Sequence, residues 1–576
     1  MNQPNVPSST PSEALGSSPV AEPDGGRSSQ SRQVVGRSVE CRHWLVLAAA
    51  VLTLWGIFGL MVVLSLHNTG GHFSYAIDDA YISMAIARNF AQYGTWGIAP
   101  HEFASMASSP GWILLTAAVF WLFGPSVWAP LVMNAVFGTL LLVLIWIIFR
   151  SFQLRPITAL IGLLLVLVLT PVVPVAFTGL EHLVQTFFDL GYIFAASIAL
   201  GGDAPPQRRR MALAIMLLLS PLLTMIRYEG GFILTVAGCL LLARKQFLAF
   251  VLTGVLGLLP IVVSGLIFIS HGWFFFPTSI LLKGNVPSSA NILHSALKLV
   301  GMSVWQLYGP SGSHMAVLLG LVLLGWLYLG RPMLASRLGV MVLLFFGTSL
   351  LHLELASLGW FYRYEAYLVC LGLVILVLLA AQIPWRSLLP PGWGSPAIMA
   401  LSVVLLMEPL WARGGESYIN TPIGSRNIYE QQVQMAKFLG AYYKGQSVAA
   451  NDVGAISYFS GVHCLDLWGL GDATVARLKR SGKYSTSSIR ELARQQSVKI
   501  AIVYDGRYDY YGGLPPEWVK AAEWTIADNH VCAYATVSFY AVDPAELPAL
   551  RRHLQDFNRQ LPKSVVVNFI PPKASL

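Results

Sequence analysis

The sequence predicts a polytopic α-helical membrane protein with a C-terminal α/β domain. The chain has 576 residues, of which 55% are hydrophobic and only 11% are charged, whereas soluble globular proteins carry about 25% charged residues. Apolar runs recur along residues 37–411 and are separated by short polar breaks. In residues 412–576, short strand-like runs such as 447–450 and 500–504 alternate with helical patterns, which indicates a separate α/β domain.

The N-terminal region predicts a tail followed by an anchor. Residues 1–36 are rich in Ser, Pro, Gly and Gln, a composition that buries too little apolar surface to offset its ordering entropy, so we expect a disordered cytoplasmic tail. The run 44–66 has no charged residue and exceeds the roughly 20 residues that cross a bilayer. No small-residue cleavage site follows it, so we interpret it as an uncleaved anchor.

The remaining apolar runs predict about eleven membrane spans in total. The run 112–123 holds about 12 residues, which is too short to cross, so we expect a surface helix within a long first outer loop, 67–126. The expected spans are 44–66, 127–149, 156–176, 182–200, 211–226, 230–243, 246–269, 313–329, 338–353, 366–383 and 396–411.

The basic residues predict the orientation of these spans. Breaks that hold Arg150, Arg208 to Arg210, Arg244 and Arg337 alternate with breaks that hold few basic residues, and cytoplasmic loops carry the excess of Lys and Arg. We therefore expect a bacterial inner-membrane protein with its N-terminus in the cytoplasm and its C-terminal domain outside. The net charge of +9 belongs to this pattern and does not indicate a nucleic-acid partner.

The five cysteines form no CxxC motif or Cys/His cluster, so they do not indicate structural zinc. Cys464 and Cys532 both fall in the domain expected outside the cytoplasm, where disulfides are permitted. They are either bridged or two small buried thiols, and the sequence leaves both readings open.

An acidic pair, Asp78 and Asp79, begins a helical pattern over 79–93 in the first outer loop. Neighbouring positions on a helix point in different directions. Either both residues stabilise the start of the helix, or one caps it while the other faces a site. At the membrane surface, such carboxylates serve as a general base or hold a divalent cation against a phosphate.

Three basic residues, Arg227, Lys283 and Arg363, lie at the expected outer ends of spans, where positive charge is scarce. They are suited to neutralise a phosphate, or they snorkel or pair with neighbouring carboxylates. Glu181 and Glu229 lie at the same level, and an acidic residue at membrane depth is a functional candidate. Glu181 has the alternative of a structural pair with Arg227.

These motifs resemble the C-type (GT-C fold) membrane glycosyltransferases, most nearly the bacterial arabinofuranosyltransferase-like branch and more distantly protein O-mannosyltransferases and lipid A aminoarabinose transferases. The resemblance covers about 44–475. The chain departs from the family at Gly111, where Leu is typical, and at Tyr228, where Pro is frequent. The motifs that carry it are Asp78-Asp79-Ala80-Tyr81-Ile82, Arg88-Asn89, Ser109-Pro110-Gly111-Trp112, Thr178-Gly179-Leu180-Glu181, Pro277-Thr278 with Lys283, Asn451-Asp452-Val453-Gly454-Ala455-Ile456 and Asp466-Leu467-Trp468-Gly469-Leu470.

The resemblance implies a transferase that moves a sugar from a polyprenyl-phosphate donor to a glycan, lipid or protein acceptor on the outer side of the membrane. In this interpretation Asp78 is the general base, and Asp79 caps the helix or joins Asp78 in holding a divalent cation. The donor phosphate contacts Arg88, Arg227, Lys283 and Arg363, and Glu181 and Glu229 support them.

Two other classes of function remain open at this point. One is a transporter or lipid flippase, although the sequence shows no two similar halves with paired broken spans. The other is a non-catalytic subunit of envelope assembly. In the C-terminal domain, aromatic residues either stack on sugar rings or belong to the core, and the glycines of 508–513 favour an exposed loop there. These aromatic residues are Trp468, Tyr504, Tyr508, Tyr510, Tyr511 and Trp518.

Overall fold

The computed structural model describes residues 25–283, 301–309, 312–330, 335–384, 401–402 and 404–571, with side chains described from residue 40 onwards. Residues 1–24, and residues 396–400 and 403 of the expected span 396–411, lie outside the described residues. So does the side chain of Lys283, whose backbone ends a short helix.

The described membrane part is built from helices. In chain order they are α1 Gly25–Asn68, α2 Asp79–Tyr93, α3 Pro110–Phe123, α4 Ala129–Ser151, α5 Pro156–Leu169, α6 Val172–Ala176, α7 His182–Leu200, α8 Pro206–Ile226, α9 Gly230–Ala243, α10 Phe247–Ser270, α11 Thr278–Lys283, α12 Gly301–Tyr308, α13 Ser313–Leu329, α14 Arg337–Leu355, α15 Ala366–Gln382 and α16 Glu408–Ile428.

Six helices in the described part of the chain are long and apolar enough to cross a membrane: α4, α7, α8, α10, α14 and the Glu40–Asn68 portion of α1. A seventh span results if α12 and α13, which meet at 104°, count as one. Four shorter apolar helices, α3, α5, α9 and α15, accompany them. The polytopic helical class is thereby confirmed, and the count of eleven spans stays a prediction.

Two helices differ from the expected boundaries. The expected span 156–176 is divided into α5 and α6 at Thr170 and Pro171, because proline lacks the N–H that would continue the helix. The first helix begins at Gly25, inside the segment 1–36 for which disorder is expected. Extending an existing helix costs far less than nucleating one, so the anchor helix propagates towards the N-terminus.

The expected domain boundary at residue 412 lies inside a helix. Helix α16 runs without interruption into a π-turn, Tyr429–Val433, and then into α17, Gln434–Tyr442. The polar composition of this segment suggested a domain change, but several of its polar side chains are buried. Those are Arg413, Ser417, Thr421, Ser425 and Asn427.

The C-terminal domain is a mixed six-stranded sheet with helices around it, as the sequence predicts. Strands β2, β1 and β3 are parallel, and β5, β4 and β6 complete the sheet in antiparallel pairs, in the order β2-β1-β3-β5-β4-β6. The elements are β1 Ser447–Ala450, α18 Gly454–Phe459, β2 His463–Asp466, α19 Ala473–Arg480, α20 Thr486–Gln495, β3 Ile500–Val503, β4 Val519–Thr525, β5 Thr536–Ala541, α21 Leu547–Phe557 and β6 Val566–Phe569.

The thiols of Cys464 and Cys532 are free in the structure. Cys532 is buried and Cys464 is partly buried on β2. The second of the two readings left open by the sequence therefore applies.

Candidate functional site

Helix α2 joins the first outer loop to the C-terminal domain by holding both ends of α18. The carboxylate of Asp78 accepts hydrogen bonds from the amides of Gly454 and Ala455, each at 2.8 Å. The guanidinium of Arg88 donates to the carbonyls of Ser457 and Tyr458 at 3.2 and 2.5 Å. The two charges match the partial charges at the helix ends, so α2 orients α18 directly.

This contact leaves no space for a side chain at residue 454. A Cβ atom on Gly454 would lie 2.2 Å from the Asp78 carbonyl oxygen. Burial, followed by repulsion from the Asp452 carboxylate, raises the pKa of Asp78 to about 7, although the two amides act in the opposite direction. Asp78 therefore ionises near neutrality while bound to the C-terminal domain.

A cavity of about 470 Å³ lies beside α2, between the first outer loop and the ends of the membrane helices. Its wall includes Asp79 from α2, and neither Asp78 nor Arg88 lines it. The other charged lining residues are Glu181, Arg227, Glu229 and Arg363, accompanied by Ser108, Ser109, Tyr228 and Tyr364. The structure thus brings together five of the residues selected from the sequence.

Asp79 and Arg363 form a salt bridge in the cavity wall. The Nη2 atom of Arg363 lies 2.6 Å from Oδ2 of Asp79 and donates a further hydrogen bond to the Tyr364 hydroxyl at 3.3 Å. Arg363 is only 3% exposed, and its Nε and Nη1 atoms have no partner among the described residues. A buried donor without a partner costs about 1–3 kcal/mol of stability, so these two nitrogen atoms are suited to bind an anionic ligand.

Arg227, in contrast, is held by two carboxylates. Its Nη1 atom donates to Glu181 at 2.6 Å, and its Nε and Nη2 atoms form a two-point contact with Glu229. The structural pairing of Glu181 with Arg227 is therefore present. The Arg227 guanidinium also lies 6.0 Å from the centre of the Tyr364 ring. The Arg363 guanidinium lies over the same ring at 5.0 Å.

The loop that carries Arg363 has an unusual backbone. Gly359, Trp360, Phe361 and Tyr362 all have positive φ, between 36° and 86°, a conformation that costs a non-glycine residue about 1–2 kcal/mol. A buried ion pair encloses this left-handed turn: Glu365 accepts from the Gly359 amide at 2.8 Å and from Arg413 at 2.7 Å, and Arg413 also donates to the Tyr362 carbonyl at 2.7 Å.

The C-terminal domain and α11 complete the cavity. The Thr278 hydroxyl donates to the Leu470 carbonyl at 2.6 Å, and the Thr278 amide donates to the Ser105 carbonyl at 2.9 Å. Leu470 lines the cavity together with residues 279–281 of α11. Lys283 ends this helix, so its backbone lies two residues beyond the lining.

The acidic pair does not act as one unit. Asp78 contacts backbone amides of α18, whereas Asp79 contacts Arg363. In the described residues, no group of three or more His, Cys, Asp or Glu side chains is arranged to hold a metal ion. Asp78 and Asp79 are held by different partners, and a divalent cation shared by this pair stays a prediction.

Three residues lie in surroundings other than those expected from the sequence. Asp78, expected to be the base, lies outside the cavity lining, and Asp79, expected to cap α2 or to help hold a cation, faces the cavity. Arg88, expected to contact phosphate, is engaged with carbonyls of α18. Sequence reasoning missed Arg413 because its partner Glu365 lies 48 residues away; its only signal was a basic residue in an expected outer segment.

Comparison with solved structures identifies the fold. The crystal structure of ArnT from Cupriavidus metallidurans bound to undecaprenyl phosphate matches with a TM-score of 0.51 at 12% identity, over 87% of this chain and 98% of that chain. The apo oligosaccharyltransferase of Archaeoglobus fulgidus matches with a TM-score of 0.51 at 12% identity, over 91% of this chain and 76% of that one. This chain has the GT-C fold.

A third GT-C structure is AglB from Archaeoglobus fulgidus in complex with an inhibitory peptide and a dolichol-phosphate, with a TM-score of 0.50 at 13% identity over 91% of this chain and 75% of that chain. A family model described as a domain of unknown function, DUF8728, matches residues 426–540. No curated protein matches the chain by sequence. The expected fold class is confirmed, and these likenesses establish the fold alone.

Proposed function

We propose that this protein is a membrane glycosyltransferase that moves a sugar from a polyprenyl-phosphate donor to a hydroxyl group of a glycan, lipid or protein acceptor. The observation that carries the proposal is the wall shared by Asp79 and Arg363. It places a carboxylate against a buried guanidinium that has two unengaged donor nitrogens, inside a GT-C fold of which one solved example holds undecaprenyl phosphate and another a dolichol-phosphate.

The chemistry follows from these two side chains. The oxygen of the acceptor hydroxyl forms a bond to the anomeric carbon while Asp79 accepts the proton of that hydroxyl. The bond between that carbon and the phosphate oxygen breaks, and polyprenyl phosphate leaves with the bonding electrons. In this proposal Nε and Nη1 of Arg363 stabilise the charge on the departing phosphate, and Lys283, the last residue of α11, contributes a second positive charge.

The remaining charged residues organise the cavity. Because Arg227 is neutralised by Glu181 and Glu229, its role in the proposal is to fix the cavity wall, and phosphate binding rests on Arg363. Asp78 and Arg88 set the position of α18 and hence of the domain that covers the cavity.

Donor class and location belong to the same proposal. The motifs of the first outer loop support the arabinofuranosyltransferase-like branch, and the alternating basic breaks support a bacterial inner-membrane location with the C-terminal domain outside. Turnover of a polyprenyl-phosphate pentose faster than a hexose would support that branch. Reporter fusions after residues 208 and 500 should report opposite sides; the same side for both would refute the orientation.

Release of polyprenyl phosphate tests the function. Purified protein in sealed liposomes is incubated with a radiolabelled polyprenyl-phosphate sugar and a cell-envelope extract, and the lipid product is separated by chromatography. We expect polyprenyl phosphate to appear with wild-type protein and to be nearly absent with Asp79→Asn. Movement of intact donor across the bilayer without cleavage would refute the proposal in favour of a transporter, and neither activity would favour an assembly subunit.

A further inference from the structure

Two cations share one tryptophan ring in the C-terminal domain, on the segment that also reaches the cavity. The Lys479 ammonium lies 3.9 Å from the centre of the Trp468 ring, and the Arg507 guanidinium carbon lies 3.8 Å from it. Lys479 also lies 4.9 and 5.2 Å from the rings of Tyr484 and Tyr511. Aromatic faces attract cations, so the rings hold two like charges close together.

Little negative charge opposes this pair. The Lys479 ammonium donates to the Trp468 carbonyl at 3.0 Å, and none of the residues that the structure describes accepts a hydrogen bond from the Arg507 side chain. The carboxylate of Asp466 accepts hydrogen bonds from the amides of Trp468, Gly469 and Gly471. Burial, together with the charge of Arg507, lowers the pKa of Lys479 to about 8, although the charge of Asp466 acts in the opposite direction.

An exposed aromatic loop borders the cation pair. Tyr510 is 91% exposed, and its ring packs edge-on against Tyr511 at 5.1 Å. Tyr504, Tyr508 and Trp518 are buried, so they form part of the core. Among the aromatic residues selected from the sequence, Tyr510 is the one that offers an open ring face at this surface.

The cation pair adjoins the candidate donor cavity. Trp468 is separated by one residue from Leu470, which lines the cavity, so their Cα atoms lie within about 7 Å. Asp466 fixes this short segment through three backbone amides at 2.7–3.0 Å. A short, fixed backbone segment therefore connects the ring that Arg507 contacts to a residue of the cavity wall.

We infer that Arg507, Lys479, Trp468 and Tyr510 form a binding site for an anionic glycan acceptor, one that carries carboxylate or phosphate groups. The guanidinium and ammonium bind the anionic group, because charge-assisted hydrogen bonds are the strong ones. The Tyr510 ring packs against an adjacent sugar ring. This inference rests on the proposed function, since it names the class of acceptor for that cavity.

Direct binding tests this site without any transfer reaction. The full-length protein in nanodiscs is titrated with an oligogalacturonate, with its methyl ester, with a phosphorylated oligomannoside and with the dephosphorylated oligomannoside. We expect one charged probe to bind at least tenfold more tightly than its neutral counterpart, and the probe that does so distinguishes carboxylate from phosphate.

Three variants place the binding on this surface. Arg507→Ala should lower the affinity for the charged probe by about tenfold or more. Tyr510→Ala should lower it several-fold without affecting the fold, because this side chain is almost fully exposed. Arg490→Ala is the matched control, since it removes the same charge from a surface pair with Glu517 in the same domain, and should bind like wild type.

Three results would overturn the inference. The charged and neutral probes bind equally, Arg490→Ala and Arg507→Ala lose the same affinity for the charged probe, or neither charged probe shows saturable binding. If wild-type protein binds the charged probe but cleaves no donor, the proposed function fails and the glycan site stands.

Discussion

The substitutions Asp79→Asn and Asp78→Asn are a matched test of the site, because they make the same chemical change at adjacent residues in different surroundings. Asp79 faces the cavity and contacts Arg363 at 2.6 Å. Asp78 contacts the amides of Gly454 and Ala455. Its pKa of about 7 lies in the range of a general base, but a base must first reach the proton it removes.

The two substitutions should lower the transfer rate by very different factors. Asn at residue 79 keeps an oxygen for Arg363 but removes the proton acceptor, and a positioned base contributes about 10²–10⁴-fold, or about 3–5 kcal/mol of barrier. We expect the donor KM of Asp79→Asn to change less than about tenfold, since Arg363 keeps its place. Asn at residue 78 keeps an acceptor for one amide, so its rate should stay within about tenfold of wild type.

Single-turnover kinetics separate these outcomes. Enzyme in excess over radiolabelled polyprenyl-phosphate sugar gives the rate of phosphate-lipid release, and thermal unfolding of the same samples verifies folding. A loss of 10²-fold or more in a well-folded Asp78→Asn protein, together with a near wild-type Asp79→Asn protein, would refute the assignment and return the role of base to Asp78.

Three further predictions follow from single contacts. Arg363→Ala should raise the donor KM about tenfold to a hundredfold, because the phosphate loses its donors, whereas Arg227→Ala should lower Tm by leaving two carboxylates unpaired; similar effects of both on KM would contradict this division. Gly179→Ala should cost about 2–4 kcal/mol of stability, measured by thermal unfolding, because φ is +67° and the Cβ would lie 2.7 Å from the Tyr75 ring. The raised pKa of Asp78 means that protonated Asp78 stabilises the folded protein. This contribution to the free energy of unfolding is complete below about pH 4 and is lost as the pH rises through 7, by up to about 1.4 kcal/mol per pH unit. The Tm of wild-type protein should therefore fall over this range, and Asp78→Asn should flatten the decrease.

Hydropathy and the basic breaks predicted the class of fold because burial in lipid imposes composition over about 20 residues at a time. The same signal misplaced the boundary at 412. Helix α16 buries polar side chains against other helices, among them Arg413 with Glu365, and local hydropathy cannot distinguish a buried polar face from a solvated one.

Five of the residues selected from the sequence line the cavity, but the sequence did not indicate the surroundings of each one. Adjacent positions at a helix start point apart, so the sequence indicated that Asp78 and Asp79 differ, without indicating which one faces a cavity. Arg88 binds a carbonyl 370 residues away, a partner that no local pattern identifies. The left-handed turn before Arg363 contains three non-glycine residues, and tertiary contacts with Arg413 impose it against their intrinsic preference.

The uninterrupted helix from Glu408 to Tyr442 works as a strut of about 50 Å at about 1.5 Å per residue. A domain on a flexible linker would vary in its distance from the membrane. The C-terminal domain follows a continuous helix and is also fixed by α2 at both ends of α18, so its distance from the membrane helices is constant. In the proposed orientation, Trp468 and the cavity mouth therefore stand at a set level above the bilayer. Selection among acceptors then depends on how far each one carries its hydroxyl from the membrane, as well as on its chemistry.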